Sequence, residues 1–121
     1  IRALRDKKYS VFGGDQWRPF VHCYDVARAF KIAMESDKSI THNQIFNLGS
    51  GEKIYVKEMI NEIVKLYKKQ DIMKIKVEGS TPGDIAGCYA DIEKIKNLLS
   101  FSPKIKFKEG IKLFKKWADS L

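Results

Sequence analysis

Arginine, histidine, cysteine and long apolar runs are all scarce in this chain of 121 residues. Only Arg2, Arg5, Arg18 and Arg28 carry a guanidinium, and every other basic side chain is a lysine. A formal charge of +8 would suit a nucleic-acid partner, but base edges and phosphates are read best by arginine forks. The lysines are scattered among Glu and Asp along amphipathic stretches and form no basic arm. They read as solvated surface, and no nucleic-acid partner is expected. Cys23 and Cys88 stand alone, without CxxC spacing or a histidine at ligand intervals. They are expected to be reduced, mostly buried thiols of a cytoplasmic protein. No apolar run approaches the roughly 18 residues of a membrane span, so no membrane partner is expected. The chain opens on Ile1, and IRALRDKK reads like the last turns of a helix already under way. Residues 1–121 are therefore expected to be one piece of a longer protein.

Catalytic parts are equally few. His22 lies in an apolar stretch and His42 in a polar one, far apart in sequence, which favours one satisfied core imidazole and one exposed imidazole over a catalytic or metal pair. Metal-ligand spacing is absent, and neither Ser50 nor Ser80 sits in a G-x-S-x-G elbow. The run Asn47-Leu48-Gly49-Ser50-Gly51 lacks the third glycine of a dinucleotide fingerprint and opens onto Glu52-Lys53. By itself it reads as a tight turn.

What is present centres on VFGGDQWRPFVHCYD, residues 11–25. Two strand-like runs flank Gly13-Gly14, a loop or hairpin signal because glycine takes the positive φ values other residues resist. The turn carries Asp15 and Gln16 at a polar tip and leads to Arg18, whose planar fork suits a phosphate or carboxylate. The plain alternative is a surface arginine beside a hairpin. Along the chain, residues 8–12, 20–23, 44–48 and 72–77 have strand character. Asp25 is placed to cap a helix over 26–36 with Val26, Phe30, Ala33 and Met34 as its inner stripe. A second helix presents Val56, Met59, Ile60, Ile63, Val64 and Tyr67 on one face. Residues 79–87 form a loop around Pro82-Gly83-Asp84. Asp91 is placed to cap a helix with Ile92, Ile95, Leu98 and Leu99 inward, and a last helix over 108–118 buries Ile111, Phe114, Trp117 and Ala118. The order β-β-α-β-α-β-α-α predicts an α/β fold with short connections.

Four stretches in this order resemble the C-terminal portion of the extended short-chain dehydrogenase/reductases, the NAD-dependent epimerases and dehydratases of nucleotide-activated sugars. They are VFGGDQWRPFVHCYDVARAF, IFNLGSGEKIYVKEMINEIVKLY, TPGDIAGCYADIEKIKNLLSFSP and KFKEGIKLFKKW. The resemblance implies a fold made of the last Rossmann elements plus a small mixed α/β substrate lobe. It also implies a cofactor, NAD or NADP, held by an N-terminal Rossmann domain that these residues do not include. That domain bears the Tyr-x-x-x-Lys pair of the family, and no such spacing occurs here: the residues four after Tyr9, Tyr24, Tyr55, Tyr67 and Tyr89 are Gly13, Arg28, Met59, Asp71 and Glu93. Residues 1–121 are thus expected to be a substrate-binding region that binds no cofactor, contributes no catalytic or metal-ligating residue and is inactive alone.

Carried over position by position, the resemblance puts Phe12 against the nucleotide base, Arg18 on the diphosphate and Asp84 near the ribose of a nucleotide-diphosphate sugar. Many members have an arginine where this chain has Thr81, so a second phosphate clamp is replaced by a hydroxyl without charge. Pro19 stands where sugar-nucleotide epimerases often have Asp. Helix 26–36 and strand 44–48 would pack on the missing sheet, so the piece is expected to expose an apolar face unless it forms a homodimer or a rearranged packing. The alternative from another class is a non-catalytic relative that uses the same fold as a scaffold or redox sensor.

Overall fold

A computed structural model describes residues 8–70, 74–79 and 81–121. The chain is a mixed α/β structure that divides into two compact units. One comprises Ile1–Arg18, Ile54–Cys88 and Lys108–Leu121; the other comprises Pro19–Lys53 and Tyr89–Phe107. Among the described residues no helix is long and apolar enough to cross a membrane.

In the first unit, strand β1 (Lys8–Phe12) pairs in parallel with β4 (Lys74–Glu78), setting Val11 opposite Val77 and Phe12 opposite Glu78. A two-residue strand β2 (Trp17–Arg18) pairs antiparallel with β3 (Ile54–Tyr55). Of the loop or hairpin expected at Gly13-Gly14, the structure has the loop: β1 and β2 lie in different sheets. The glycines redirect the chain from one small sheet to the other. Helix α3 (Val56–Leu66) follows β3 directly; Glu58 in its first turn accepts from the Tyr55 N–H at 3.2 Å, satisfying a donor at the helix start. Its inner face buries Ile60 and Val64 against Val11, with Val56 and Met59 alongside, as its 3.6-residue periodicity requires. The last helix, α5 (Phe107–Ala118), runs into this unit from Lys108. Phe114 and Trp117, expected inside, are 57% and 55% exposed and pack on each other at 5.3 Å between ring centroids. Part of the expected strand over 72–77 lies outside the described residues, as do the first seven residues.

The second unit is built on helix α1 (Cys23–Glu35), the short α2 (Lys38–Thr41) and α4 (Glu93–Leu99). Residues 20–23 form no strand. Helix α1 starts earlier than expected because His22, not Asp25, caps it: Nδ1 of His22 accepts from the Tyr24 N–H at 3.2 Å. His22 is thus neither a core imidazole nor a strand residue. At the other end, the Ser36 N–H and hydroxyl both donate to the Ile32 carbonyl and close the helix. The inner face of α1 is rotated from the expected stripe. Ala29 is buried with Ile95, Leu99 and Phe101, while Ile32, Ala33, Phe46, Leu48 and Ile92 pack around them. Phe30 and Met34 are exposed, as are Leu98 on α4 and both cysteines, Cys23 and Cys88. Among the described residues, 44–48 pair with no strand. A concavity of about 240 Å³ opens beside them, lined by Ala29, Phe30, Ala33, Phe46, Leu48, Ile95 and Leu99.

Asp25 has a larger part than a cap. It is 1% exposed and accepts from the Lys104 N–H (3.1 and 2.9 Å), the Ile105 N–H (2.9 Å) and Arg28 Nη2 (2.7 Å). Arg28 also donates to the Ser102 carbonyl and lies 4.6 Å from the centroid of the Phe101 ring. Burial pushes the Asp25 carboxyl up, but the Ile105 N–H, the Arg28 guanidinium and the Lys104 N–H outweigh it and hold the group below the usual aspartate value. The carboxylate thereby staples the segment after α4 to the first turn of α1.

Candidate functional site

Phe12, Arg18, Thr81 and Asp84 all fall in the first unit. β1 ends at Phe12, and Gly13 and Gly14 turn the chain with φ of +74° and +102°. The Gly13 N–H donates to the carbonyls of Glu78 (3.0 Å) and Gly79 (2.6 Å), which anchors the turn to the end of β4. Asp15 at the tip pairs with Lys57 in the first turn of α3 at 2.7 Å, and the hydrogen bond to Asp15 holds the Lys57 ammonium above the usual lysine range. β2 then presents Arg18, fixed by its antiparallel register with Ile54.

Facing this turn is the loop that holds Asp84. The Asp84 N–H donates to the Thr81 carbonyl at 3.1 Å, closing a four-residue turn with Gly83 at φ +81°. The loop lies against β2 through its far end. The Trp17 N–H donates to the Ala86 carbonyl at 3.0 Å, and Trp17 bridges to Gly87. A Cβ on Gly87 would stand 2.1 Å from the Trp17 indole, so only glycine permits this approach.

The two halves meet at an ion pair. Arg18 Nη2 lies 2.9 Å from Asp84 Oδ1, with the two side chains 29% and 32% exposed. Arg18 Nη1 donates to the carbonyls of Trp17 (2.8 Å) and Ile85 (3.3 Å). Three of the five guanidinium donors thus have protein acceptors among the described residues, which leaves two for a ligand. A pair this exposed adds about 0–1 kcal/mol to stability. Its consequence is orientation: the guanidinium is held by three acceptors, Asp84 Oδ1 and the carbonyls of Trp17 and Ile85. Phe12 stands next to it with 55% of its surface exposed, an uncovered aromatic face at the end of β1. The Thr81 side chain is exposed at the start of the loop, and its carbonyl is what shapes the turn.

Gln16 joins these parts and was overlooked as a site residue in the sequence. Its Oε1 accepts from the Gly14 N–H (2.6 Å), and its Nε2 donates to the Phe12 carbonyl (3.2 Å) and to Asp84 Oδ2 (2.9 Å). The only local signal was a carboxamide two residues after a Gly-Gly turn. Its most distant partner, Asp84, is 68 residues away.

The sequence profile of the GDP-mannose 4,6 dehydratase family matches residues 1–114. This chain belongs to that family. Its relatives include the UDP-glucose 4-epimerase of Bacillus subtilis, 31% identical over 105 residues that cover 81% of this chain and 30% of that enzyme. Among solved structures, the UDP-glucose 4-epimerase of Thermotoga maritima, determined with UDP-glucose, superposes with a TM-score of 0.86 at 28% identity, over 98% of this chain and 37% of that one. The UDP-glucuronic acid 4-epimerase of Bacillus cereus, determined with UDP-glucuronic acid and NAD, gives 0.85 at 26% identity, again over 98% and 37%. The α/β fold is accordingly that of the extended short-chain dehydrogenase/reductases, as the motifs implied, and the family is one of NAD-dependent nucleotide-sugar epimerases and dehydratases. The chain spans about a third of the length of the curated relatives it matches.

Proposed function

We propose that this chain is the nucleotide-sugar-binding lobe of an NAD-dependent epimerase or dehydratase. In this reading Arg18 binds the diphosphate, Asp84 the ribose and Phe12 the base, with Thr81 supplying a hydroxyl at the edge of the site. The observation that carries the reading is the convergence of Arg18, Gln16 and Asp84 on the turn after Phe12. A diphosphate offers several acceptor oxygens, and a guanidinium with two uncommitted N–H groups meets them without losing its charge. The exposed ring of Phe12, at the end of β1, offers a stacking face to a base. The structures of relatives with UDP-glucose and UDP-glucuronic acid support a UDP-sugar as the first ligand to test.

In this reading the glycine-rich run at 49–51 does not hold a dinucleotide. Gly49-Ser50-Gly51 leads through Glu52-Lys53 into β3 instead of opening a helix, so it offers no helix N-terminus to a pyrophosphate. We therefore assign NAD no residue in this chain and derive no chemical step from it. Redox chemistry belongs, in this proposal, to the remainder of a longer cytoplasmic protein, and residues 1–121 bind substrate without turning it over.

Titration of the 15N-labelled chain with UDP-glucose tests the reading. Amide shifts confined to Phe12, Gly13, Gly14, Arg18, Thr81 and Asp84 are expected, and Arg18→Ala should abolish most of them. No shift at millimolar UDP-glucose, or shifts centred elsewhere, would overturn it.

A further inference from the structure

We propose that Gln16 is a positioning residue for the nucleotide-sugar site, locking Asp84 against Arg18 so that the carboxylate and the guanidinium face the ligand in a fixed relation. The proposal rests on the reading of Arg18 and Asp84 given above.

The geometry is specific. The Gln16 carboxamide uses its oxygen on the Gly14 N–H and its two N–H groups on the Phe12 carbonyl and Asp84 Oδ2. It thus has no donor left over to contact a ligand. Gly13 is shaped around it: a Cβ there would stand 2.3 Å from Gln16 Nε2, so the amide lies directly over the glycine. Asp84 receives one donor on each oxygen, Arg18 Nη2 on Oδ1 and Gln16 Nε2 on Oδ2. With Arg18 alone, the carboxylate could rotate about its bond to the side chain and follow the guanidinium toward a phosphate. The second donor pins it, so that Arg18 can exchange a carboxylate oxygen for a phosphate oxygen while Asp84 stays in place for a hydroxyl group. Gln16 also ties Asp84 to the backbone at Phe12, which sets the distance between the ribose position and the base position.

Gln16→Glu is the discriminating variant, because it keeps the shape and the acceptor for Gly14 but exchanges the donor for a titratable group. Ionised, the introduced carboxyl repels Asp84 and donates nothing. Protonated, it donates to Asp84 Oδ2 as the carboxamide does. The neighbouring charge raises the apparent pKa of the pair. Among the described residues the other charged groups around the turn are Arg18, the Asp15–Lys57 pair, and Glu78 with Lys76 on β4; no histidine is among them.

The experiment measures the Kd of the 121-residue chain for UDP-glucose from about pH 4, the ordinary range of a glutamate side chain, to about pH 8. Wild type is expected to vary little. Gln16→Glu should approach wild type at the acid end and bind about tenfold more weakly at the alkaline end, the scale of one hydrogen bond lost to a charged group. Gln16→Ala should be weakened at every pH. Parallel pH profiles for Gln16→Glu and wild type, or a Gln16→Ala variant that binds as wild type does, would overturn the proposal. A Gln16→Glu variant impaired as much as Gln16→Ala at every pH, with no recovery at the acid end, would show a packing role and overturn it too. Arg18→Ala separates the two readings: if it binds UDP-glucose normally, or if wild type does not bind at all, the assignment of the site fails first. If Arg18→Ala is weakened and the Gln16 variants behave as wild type, only the role of Gln16 fails.

Discussion

Replacing Asp25 tests how far one buried carboxylate holds the second unit together. Asp25→Ala removes the acceptor for two backbone N–H groups, Lys104 and Ile105, and the partner of Arg28. Breaking a buried pair by deleting one member costs about 3–5 kcal/mol, because the other charge is left uncompensated. The Arg28 side chain is 27% exposed and keeps the Ser102 carbonyl and the Phe101 ring, which moves the estimate to the low end. The two stranded N–H groups argue for at least that much. The expected loss is about 3 kcal/mol, read as a shift of the urea midpoint with hydrogen exchange at Lys104 and Ile105 accelerated in parallel. The pH dependence has a definite sign. The folded carboxyl lies below its unfolded value, near 3.9, so its contribution is complete above that value and is lost as pH falls through the depressed folded value. Asp25→Asn should therefore flatten the acid limb of the stability curve below about pH 4 while leaving a deficit at neutral pH. An Asp25→Ala chain within about 0.5 kcal/mol of wild type, with Lys104 and Ile105 still protected, would refute the reasoning.

Four other outcomes are expected. Arg18→Ala should weaken UDP-glucose binding by at least ~1.5 kcal/mol in calorimetry, within the scale of charge-assisted hydrogen bonds; unchanged affinity removes Arg18 from the site. Gly87→Ala should displace the Trp17 indole, since the added Cβ would stand 2.1 Å from it, and should both alter Trp17 fluorescence and loosen the Asp84 loop; an unchanged spectrum counts against the close packing described. The exposed side chains of Phe30, Met34 and Ile45, 67%, 84% and 84% accessible, make self-association the expected state of the isolated chain, and a monodisperse monomer by light scattering would contradict this. Purified chain mixed with NAD and UDP-glucose should show no turnover; measurable epimerisation would refute the division of labour proposed here.

Helix α3 and the inward Ile60 and Val64 could be read directly, because an amphipathic period is a property of neighbouring residues and needs no partner to be recognised. β1 and the turn at Pro82-Gly83-Asp84 were legible for the same reason. The run before α1 has the aromatic and β-branched residues of a strand, yet it forms none, because the imidazole of His22 caps the helix that follows. The faces of α1 and α5 were only partly legible, since periodicity shows that a stripe exists and not whether anything covers it.

The residue order alone determined the α/β class, the position of Arg18 just after a glycine turn, and the family through motifs that keep their order along the chain. Only tertiary structure decided that β1 lies beside β4, that Gln16 reaches Asp84 across 68 residues, and that Asp25 receives the N–H groups of Lys104 and Ile105 across 79 and 80. Hydrogen bonds of that span leave no periodic trace in a sequence, because each is made by one side chain and one distant donor or acceptor that the fold alone brings within 3 Å.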